Sequence, residues 1–189
     1  MQLQCKNVSY KLNEYRESVM LIKSSFPKEE RIPMWRLNFL ARNKAVQFTA
    51  YYEGETFCGI TYAIEAERIV FLLYFAVKEE LRSHGYGAGI ISEFKRQFEG
   101  KDIIIDVEPP DESAENSRQR IRRINFYERN GFHVCDFMLE IYGTSYKVLS
   151  TNKEVDVLEF QKLAADHHIR GVKIGERNGK ETRISKKQK

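Results

Sequence analysis

Arg82-Ser83-His84-Gly85-Tyr86-Gly87-Ala88-Gly89 is the stretch around which the rest of the sequence is organised. Residues 69–77 before it are almost continuously apolar, which is typical of a strand covered on both faces. Residues 90–98 after it carry apolar side chains at helical spacing. The glycines therefore mark the turn from a buried strand into a helix, where free backbone N–H groups and the positive helix end can meet an anion.

These glycines fit a loop that cradles a phosphate. A side chain at such a position would block the close approach of the backbone to phosphate oxygens. Arg82 and the hydroxyl of Ser83 can add a charge and a hydrogen-bond donor. The same glycines would also fit a tight turn that serves only to pack the helix.

Two familiar phosphate loops do not match the spacing of these residues. A P-loop needs Gly-Lys followed by Ser or Thr, and the sequence contains no such run. The dinucleotide fingerprint G-x-G-x-x-G needs glycine at position 90, which is occupied by Ile90. Asp106, about twenty residues after the loop, keeps a dinucleotide-binding domain open as an alternative.

The apolar pattern alternates between strand spacing and helix spacing, which predicts an α/β (α+β) fold. Gly54 lies in the turn of a predicted hairpin, and Gly131 ends a predicted helix. Asn116, with Gln119 three residues later, is expected to cap that helix. Strands are predicted at 46–52, 56–62, 69–77, 102–108, 132–142 and 145–149, and helices at 15–26, 33–40, 90–98, 116–131 and about 154–167.

Two segments of the chain match ordered motifs of one family. Arg82 to Gly87 fits the pattern R/Q-x-x-G-x-G/A, and Phe126-Tyr127-Glu128-Arg129-Asn130-Gly131-Phe132 fits the pattern aromatic-Tyr-Glu-x-x-Gly-Phe at the end of the next helix. Together they resemble the motifs of the GCN5-related N-acetyltransferases (GNAT), over about residues 70–135 in motif and 1–149 in architecture. The resemblance implies the GNAT fold, a mixed central sheet of roughly six to seven strands flanked by helices.

The resemblance also implies acetyl-coenzyme A as co-substrate. The sequence contains no set of ligands that suggests a metal. In this family the pantetheine arm pairs with the fourth strand, here ending in Phe75-Ala76-Val77, and the pyrophosphate lies in the glycine-containing loop. The N–H of Val77 would face the thioester oxygen, and one such oxyanion donor is worth about 3 kcal/mol. The coenzyme-binding residues implied are Phe75, Ala76, Val77, Arg82, Ser83, Gly85, Tyr86, Gly87, Ala88 and Tyr127.

The catalytic residues implied are Val77, Tyr127 and Glu108. Tyr127 corresponds to the family's tyrosine beside the departing sulfur. A phenol with a pKa near 10 gives its proton to a thiolate with a pKa near 8.5 at a cost of about 2 kcal/mol, so a hydrogen bond is expected before a full proton transfer. An alkylamine is about 0.04% neutral at pH 7, and Glu108, at the end of the strand at 102–108, is the first candidate to accept its proton.

Some positions depart from the family pattern or are ambiguous. Leu72 stands where other members carry a glutamate, and Arg120 stands where many carry an asparagine that touches the coenzyme. A cluster of acids beside the expected acceptor site either attracts a cationic amine or favours the start of the following helix. The cluster consists of Asp106, Glu108, Asp111, Glu112 and Glu115.

The composition suits one domain with a short appendage, since the chain has 189 residues and is 42% hydrophobic. No apolar run approaches the roughly 20 residues of a membrane span and no signal peptide is evident, so we expect a cytoplasmic protein without a membrane partner. Cys5, Cys58 and Cys135 are odd in number and far apart, which predicts neither disulfides nor a zinc site. We expect all three to be buried.

The net charge of +4 is concentrated at one end of the chain. From Arg170 onward, eight Lys and Arg stand against two acids, which leaves residues 1–169 at −2. We predict a GNAT domain over 1–150, a C-terminal helix over 151–169 that packs on the core or mediates homodimer formation, and a basic, mobile tail over 170–189. The tail lacks interleaved aromatic residues, so it does not favour a nucleic-acid partner.

The function implied is the transfer of an acetyl group from acetyl-coenzyme A to an amine of a small molecule or a peptide. The motifs do not identify the acceptor, because its pocket would be lined by the first two helices and the loop Tyr142-Gly143-Thr144-Ser145. The alternative is a fold that binds acyl-coenzyme A without chemistry, as a sensor or an interaction module.

Overall fold

The structure, a computed structural model, describes residues 2–9, 11–13, 15–141, 143–167 and 173–176. The chain divides into two compact units, Met1–Ile103 and Ile104–Lys189. The helices are α1 (Tyr15–Ser25), α2 (Met34–Leu40), α3 (Tyr86–Gln97), α4 (Ser117–Arg129) and α5 (Val157–Asp166), and the strands are β1 (Gln4–Asn7), β2 (Val46–Glu53), β3 (Thr56–Glu65), β4 (Ile69–Val77), β5 (Asp102–Val107), β6 (His133–Ile141), β7 (Thr144–Ser150) and β8 (Lys173–Glu176).

In the first unit, β1, β2, β3 and β4 follow one another in the sheet, each antiparallel to the next. Most residues of β3 and β4 are buried, which accounts for the absence of alternating polar positions in these segments. α1 packs against β3 and β4. α2 is held by Leu37, whose side chain is fully buried and whose carbonyl accepts a hydrogen bond from the hydroxyl of Tyr62 at 2.9 Å.

β4 contains a bulge in its middle. Tyr62 of β3 lies opposite Tyr74, whereas the next residue, Ala63, lies opposite Leu72, so Leu73 is an extra residue without a counterpart. A bulge bends a strand, increases its twist, and is over-represented next to functional sites. It was not predicted from the sequence, because nothing in the run of apolar residues at 69–77 distinguishes Leu73.

In the second unit the strand order is β5-β7-β6-β8, and neighbouring strands are antiparallel. The register of the β6–β7 hairpin passes from Val134 opposite Leu149 to Met138 opposite Lys147, which leaves an irregular segment in β6. Gly131 follows α4 with φ +78°, in agreement with the predicted helix end.

The predicted α/β alternation is confirmed, and each predicted helix and strand is present. Two short strands, β1 and β8, were not predicted. β8 falls inside the segment assigned to the basic tail, where it pairs with β6; residues 170–172 and 177–189 of that segment lie outside the described residues. In the described part of the chain, no helix has both the length and the apolarity needed to cross a bilayer.

The prediction that all cysteines are buried is wrong for Cys5. Cys58 and Cys135 are buried, whereas Cys5 lies on β1, whose residues are all exposed. β1 was not recognised as a strand, so its exposure could not be foreseen. Partial desolvation of the thiol and the nearby carboxylate of Glu93 raise the pKa of Cys5 to about 11. The thiol is therefore protonated near neutral pH.

Candidate functional site

The end of β4 directs part of its backbone away from β3. The N–H of Lys78 donates to the carbonyl of Cys58 at 2.9 Å, and Gly59 lies opposite Val77. Gly59 and Val77 therefore form a non-hydrogen-bonded pair of the antiparallel ladder, so the N–H of Val77 points away from β3. The carbonyl of Val77 points the same way and accepts from Nε of Arg82 at 3.3 Å.

A small apolar cluster fixes the end of β4 and both sides of the following loop. Leu81 precedes the loop, and Tyr86 and Ile90 follow it on α3, so the cluster holds the loop residues between two anchored points. The buried members of the cluster are Tyr51, Cys58 and Ile90, and the side chains packed against them are Leu3, Phe75, Val77, Leu81 and Tyr86.

Gly59 allows this close packing, and its role was not predicted from the sequence. A Cβ atom on Gly59 would lie 2.4 Å from the carbonyl oxygen of Ala76 and 2.9 Å from Cδ1 of Ile90. Because any side chain would collide with this backbone oxygen, the approach of β3 to β4 requires glycine here. An isolated glycine inside a strand pattern is the sequence signal that could have revealed it.

The loop reaches α3 through two residues with left-handed backbone. A short 3₁₀ turn at Glu79–Leu81 follows β4, after which Ser83 has φ +64° and Gly85 has φ +86°. Ser83 is the one non-glycine residue with positive φ in the described ranges, a conformation that costs about 1–2 kcal/mol. Backbone strain of this kind is found at ligand-binding segments.

The first turn of α3 presents backbone donors that the helix itself does not use. Its first hydrogen bond runs from the N–H of Gly89 to the carbonyl of Gly85 at 3.0 Å. The N–H groups of Tyr86, Gly87 and Ala88 precede this bond, and Gly85 offers no side-chain cap. Unused donors at the positive end of a helix are the chemical requirement for binding an anion.

The side chains of the loop lie at its rim. Arg82 and Ser83 are exposed, and Nδ1 of His84 is 2.7 Å from the carbonyl oxygen of Arg82. The hydroxyl of Tyr86 donates to Oε2 of Glu53 at 2.5 Å, and this hydrogen bond raises the pKa of Tyr86. The hydrogen bond of Tyr86 thus connects the first turn of α3 to the last residue of β2. This contact was not predicted.

Tyr127 lies on α4, in the second unit, among aromatic neighbours. Its side chain is 7% exposed, and the rings of Phe126 and Phe132 contact it edge-on at centroid distances of 5.2 and 5.4 Å. Burial raises the pKa of Tyr127 well above its ordinary value, an effect that Arg123 opposes and Asp106 reinforces. The phenol is therefore protonated at neutral pH and can donate a hydrogen bond.

Glu108 follows β5 directly, and both of its carboxylate oxygens face arginines of α4. Oε1 lies 2.8 Å from Nη2 of Arg120, and Oε2 lies 3.6 Å from Nη1 of Arg123. The side chains of Glu108 and Arg120 are only 19% and 18% exposed. A proton on Glu108 would weaken both attractions, so any role as a base has to operate in the presence of these cations.

The predicted side-chain cap at Asn116 is wrong. Asn116 occupies the N-cap position of α4 but makes no capping hydrogen bond. Its Oδ1 instead accepts from Nε of Arg120 at 2.8 Å, and Nη1 of Arg120 donates to the carbonyl of Pro109 at 3.2 Å. A charged guanidinium is a stronger donor than a backbone N–H, and so it takes the amide oxygen. Arg120 thereby joins the residues after β5 to α4.

The acidic cluster divides into residues in different surroundings. Asp111 accepts from the N–H and the hydroxyl of Ser113 at 2.9 and 2.6 Å, which lowers the pKa of Asp111. The carboxylate of Asp111 therefore stabilises a turn, whereas that of Glu108 is paired with arginines. The side chains of Glu112 and Glu115 are exposed. Leu72, which stands where other members of the family carry a glutamate, is only 4% exposed.

The predicted site residues assemble within each unit. In the first unit, the residues from Phe75 to Ala88 meet where β4 ends and α3 begins. In the second, Arg123 is near both Glu108 and Tyr127. Tyr142 of the predicted acceptor loop lies outside the described residues.

Comparison with known sequences identifies the family. A sequence model described as the acetyltransferase (GNAT) family matches residues 13–132. YjbC of Bacillus subtilis (strain 168), a provisionally assigned acetyltransferase, is 28% identical to this chain over 134 residues, which is 71% of the chain. The chain spans 63% of the length of that curated relative.

Solved structures show the same fold. A provisionally assigned GNAT-family acetyltransferase of Bacteroides thetaiotaomicron superimposes with a TM-score of 0.67 at 21% identity, over 89% of this chain and 94% of its own. A Bacillus subtilis acetyltransferase in complex with CoA has a TM-score of 0.56 at 14% identity, over 80% of this chain and 99% of its own. The fold that the two sequence motifs implied is thus confirmed.

Proposed function

Because this chain belongs to the acetyltransferase (GNAT) family, we propose that it transfers an acetyl group from acetyl-coenzyme A to an amine by direct attack on the thioester. One observation carries the proposal: where β4 ends and α3 begins, two sets of backbone donors take no part in the β3–β4 ladder or in the hydrogen bonds within α3. They are the N–H of Val77, which points away from β3, and the N–H groups of the first turn of α3.

The coenzyme would bind along this part of the first unit. Its diphosphate would accept hydrogen bonds from the N–H groups of Tyr86, Gly87 and Ala88, with Arg82 adding a positive charge and Ser83 a hydroxyl. The pantetheine amides would pair with the backbone of β4 at Phe75 and Val77. The complex of the Bacillus subtilis structural neighbour with CoA supports this choice of coenzyme.

The chemical step joins an amine nitrogen to the thioester carbonyl carbon. As the C–N bond forms, the carbonyl π electrons move to oxygen, and the N–H of Val77 donates to the resulting oxyanion, a contribution of about 3 kcal/mol. Collapse of the tetrahedral intermediate restores the C=O bond and breaks the C–S bond. The products are an acetylated amine and the thiolate of coenzyme A.

Tyr127 would act on the departing sulfur. Burial raises the pKa of Tyr127, so transfer of its proton to a thiolate is even less favourable than for an exposed phenol. We therefore assign Tyr127 the role of hydrogen-bond donor to the thiolate, which takes its proton from solvent.

Glu108 would accept the proton lost by the amine, through a water molecule. Of its two oxygens, Oε2 is the less engaged, since it lies 3.6 Å from Arg123 whereas Oε1 lies 2.8 Å from Arg120. Arg120 would hold the carboxylate through Oε1 and leave Oε2 for the water. An unperturbed alkylamine needs about 4.6 kcal/mol to become neutral at pH 7, which is why the reaction requires a base.

The test is an assay of coenzyme A release across a panel of amines, with the acetylated product identified by mass spectrometry. The panel includes an aminoglycoside, spermidine and a peptide with an N-terminal alanine, after the acceptors that structural neighbours are named for. We expect the release of coenzyme A to depend on the amine. One molecule of acetylated amine should form for each molecule of coenzyme A released. Tight coenzyme binding without turnover of any amine would contradict the proposal and favour the sensor.

A further inference from the structure

Helix α2 carries two large aromatic side chains that project into solvent. Trp35 is 71% exposed and Phe39 is 63% exposed. They are four residues apart and therefore lie on one side of the helix. We call this pair the aromatic face. A single exposed apolar residue is ordinary, whereas neighbouring large apolar residues on one surface are typical of an interaction site.

The aromatic face sits on a helix that is fixed on its other side. Leu37 is fully buried, and its carbonyl accepts from the hydroxyl of Tyr62 at 2.9 Å. Nδ2 of Asn38 is 2.6 Å from the hydroxyl of Tyr15, which joins α2 to α1. Rotation of α2 to bury its aromatic residues would break these contacts, so the exposed arrangement is the packed state of the helix.

The connection between α1 and α2 is attached to β4. The hydroxyl of Tyr74 donates to the carbonyl of Glu30 at 2.9 Å and accepts from the N–H of Ile32 at 2.8 Å. The ring of Phe26 contacts the ring of Tyr74 at a centroid distance of 4.8 Å. Tyr74 directly precedes Phe75, so the helix with the aromatic face is anchored to the strand proposed to bind the coenzyme arm.

The shape of the aromatic face suits a macromolecule better than a small amine. Pockets for small ligands are concave, and their aromatic side chains are walls that are largely covered. Rings as exposed as Trp35 and Phe39 form a protruding surface instead. Tryptophan, tyrosine and arginine are enriched among the side chains that dominate protein–protein binding energy.

The net charge of the segment that carries the aromatic face indicates the character of the partner. Residues 15–44, which include α1 and α2, carry seven Lys and Arg against three Glu. Residues 45–169 carry fourteen Lys and Arg against twenty-one Asp and Glu. An acidic partner would therefore be attracted to the segment with the aromatic face and repelled by residues 45–169.

We propose that the aromatic face binds an acidic segment of the protein that carries the acceptor amine, with apolar side chains of that segment resting on Trp35 and Phe39. This inference rests on the proposed acetyl transfer and names its acceptor class. The acetylated group is then a lysine side chain or an N-terminus of a protein, and a free small amine is a poor substrate.

The first experiment reads binding without any dependence on catalysis. Trp35 is the only tryptophan of the chain, so its fluorescence reports on the aromatic face directly. The probes are three peptides of equal length with a free N-terminus and one lysine: one with Glu, Leu and Phe, one with Gln in place of Glu, and one with Ser in place of Leu and Phe. The first peptide should shift the emission to shorter wavelength, protect Trp35 from acrylamide, and bind at least about tenfold more tightly than the others.

Two variants test the residues. Phe39→Ala should weaken binding of the first peptide about tenfold. Leu158→Ala is the matched control, because Leu158 is an equally exposed apolar residue, 74% exposed, on α5; it should leave binding unchanged. Both positions are exposed, so neither variant should lose its fold. Equal responses to the three peptides, or equal effects of the two variants, would overturn the proposal.

The second experiment measures acetylation of the same peptides. We expect kcat/KM for the first peptide to exceed that for spermidine, and to fall about tenfold in Phe39→Ala with the KM for acetyl-coenzyme A unchanged. Binding of the peptide without its acetylation, while spermidine is acetylated, would refute the acceptor class. Binding of the peptide without acetylation of any amine would refute the proposed acetyl transfer and leave only the docking surface.

Other occupants of the aromatic face give different results. Protection of Trp35 that increases with protein concentration, without any peptide, would show that a second copy of the chain covers the face. A larger response to an oligonucleotide than to the acidic peptide would show a nucleic-acid partner. Either outcome would overturn the proposal.

Discussion

The loop at 82–88 and the region at 106–127 are built in opposite ways. The loop leads into backbone N–H groups that helix α3 itself does not use, and its polar side chains are exposed. In the second region the functional groups are side chains that are buried or engaged with one another, as Tyr127 and the Glu108–Arg120 pair show. Backbone shape should therefore decide coenzyme affinity, and side-chain chemistry should decide turnover.

The largest effect on stability and on coenzyme affinity is expected from Gly59→Ala, which changes only the backbone fit behind the loop. Its Cβ would lie 2.4 Å from the carbonyl oxygen of Ala76, so β4 has to move. We expect a loss of about 2–3 kcal/mol in the free energy of unfolding and at least a tenfold weaker Kd for acetyl-coenzyme A, measured by thermal denaturation and calorimetry. Gly54→Ala is the control: a Cβ there meets nothing within 4 Å but strains the φ of +59° in the hairpin turn, so it should lower stability without weakening the Kd for acetyl-coenzyme A. Equal losses of affinity in the two variants would remove Gly59 from the site.

Tyr127→Phe should separate turnover from binding. We expect kcat to fall about 100-fold, because the thiolate loses its hydrogen-bond donor, with the Kd for acetyl-coenzyme A unchanged. Tyr86→Phe is the matched control: it loses the hydrogen bond to Glu53 beside the loop and should raise KM for acetyl-coenzyme A with kcat preserved. A normal kcat in Tyr127→Phe would exclude Tyr127 from the mechanism.

The raised pKa of Tyr127 gives a further expectation in pH dependence. A phenol whose pKa is raised by burial stays protonated as the pH increases past the ordinary value near 10. The kcat of the wild-type enzyme should therefore stay constant up to about pH 10. Ionisation of Tyr127 should not appear in the dependence of kcat on pH below that value. A loss of kcat near pH 9 that disappears in Tyr127→Phe would contradict the assigned burial.

Glu108→Gln distinguishes a base from a purely structural ion pair. If Glu108 accepts the proton of the amine, kcat/KM should fall about 50-fold at pH 7 and recover toward pH 9, where more of the amine is already neutral. Arg120→Gln removes the partner at 2.8 Å and should have a smaller effect with no such recovery. Identical pH profiles for the two variants would indicate that Glu108 only positions α4.

Arg82→Gln should produce the smallest of these effects. Arg82 is exposed at the rim of the loop, so its attraction to a diphosphate is screened by solvent and salt. We expect Kd for acetyl-coenzyme A to rise about fivefold at low salt and less at high salt, with kcat unchanged. Arg96→Gln serves as control, because Arg96 is already paired with Glu93 at 2.6 Å at the other end of α3. A similar change in Arg96→Gln would mean that overall charge, rather than the loop, attracts the coenzyme.

The loop could be predicted because its features are local. Gly85 adopts a φ of +86°, a conformation that a glycine in the sequence predicts directly. The helix after it has a clear apolar period. Gly59 was missed because its requirement comes from Ala76 and Ile90, which are distant in sequence. β8 was missed because a short strand that pairs through its backbone needs no apolar pattern.

The second region was harder to predict because each of its polar side chains has several possible hydrogen-bond or ion-pair partners. Asn116 has the sequence of a helix cap, yet the guanidinium of Arg120 takes its amide oxygen. Arg120 itself stands where the family pattern has asparagine, so no motif indicated its bonds to Glu108 and Pro109. Such networks depend on distances between side chains of different elements, which sequence spacing does not provide.

The most direct test of the central claim is the response of backbone amides to acetyl-coenzyme A in ¹H–¹⁵N NMR spectra. We predict that the amide signals of Tyr86, Gly87, Ala88 and Val77 shift as the coenzyme saturates the protein and that their hydrogen exchange slows. The amide of Gln97, at the far end of α3, should change little. Saturation by the coenzyme with no change at residues 86–88 would contradict the assignment of the loop as its diphosphate site.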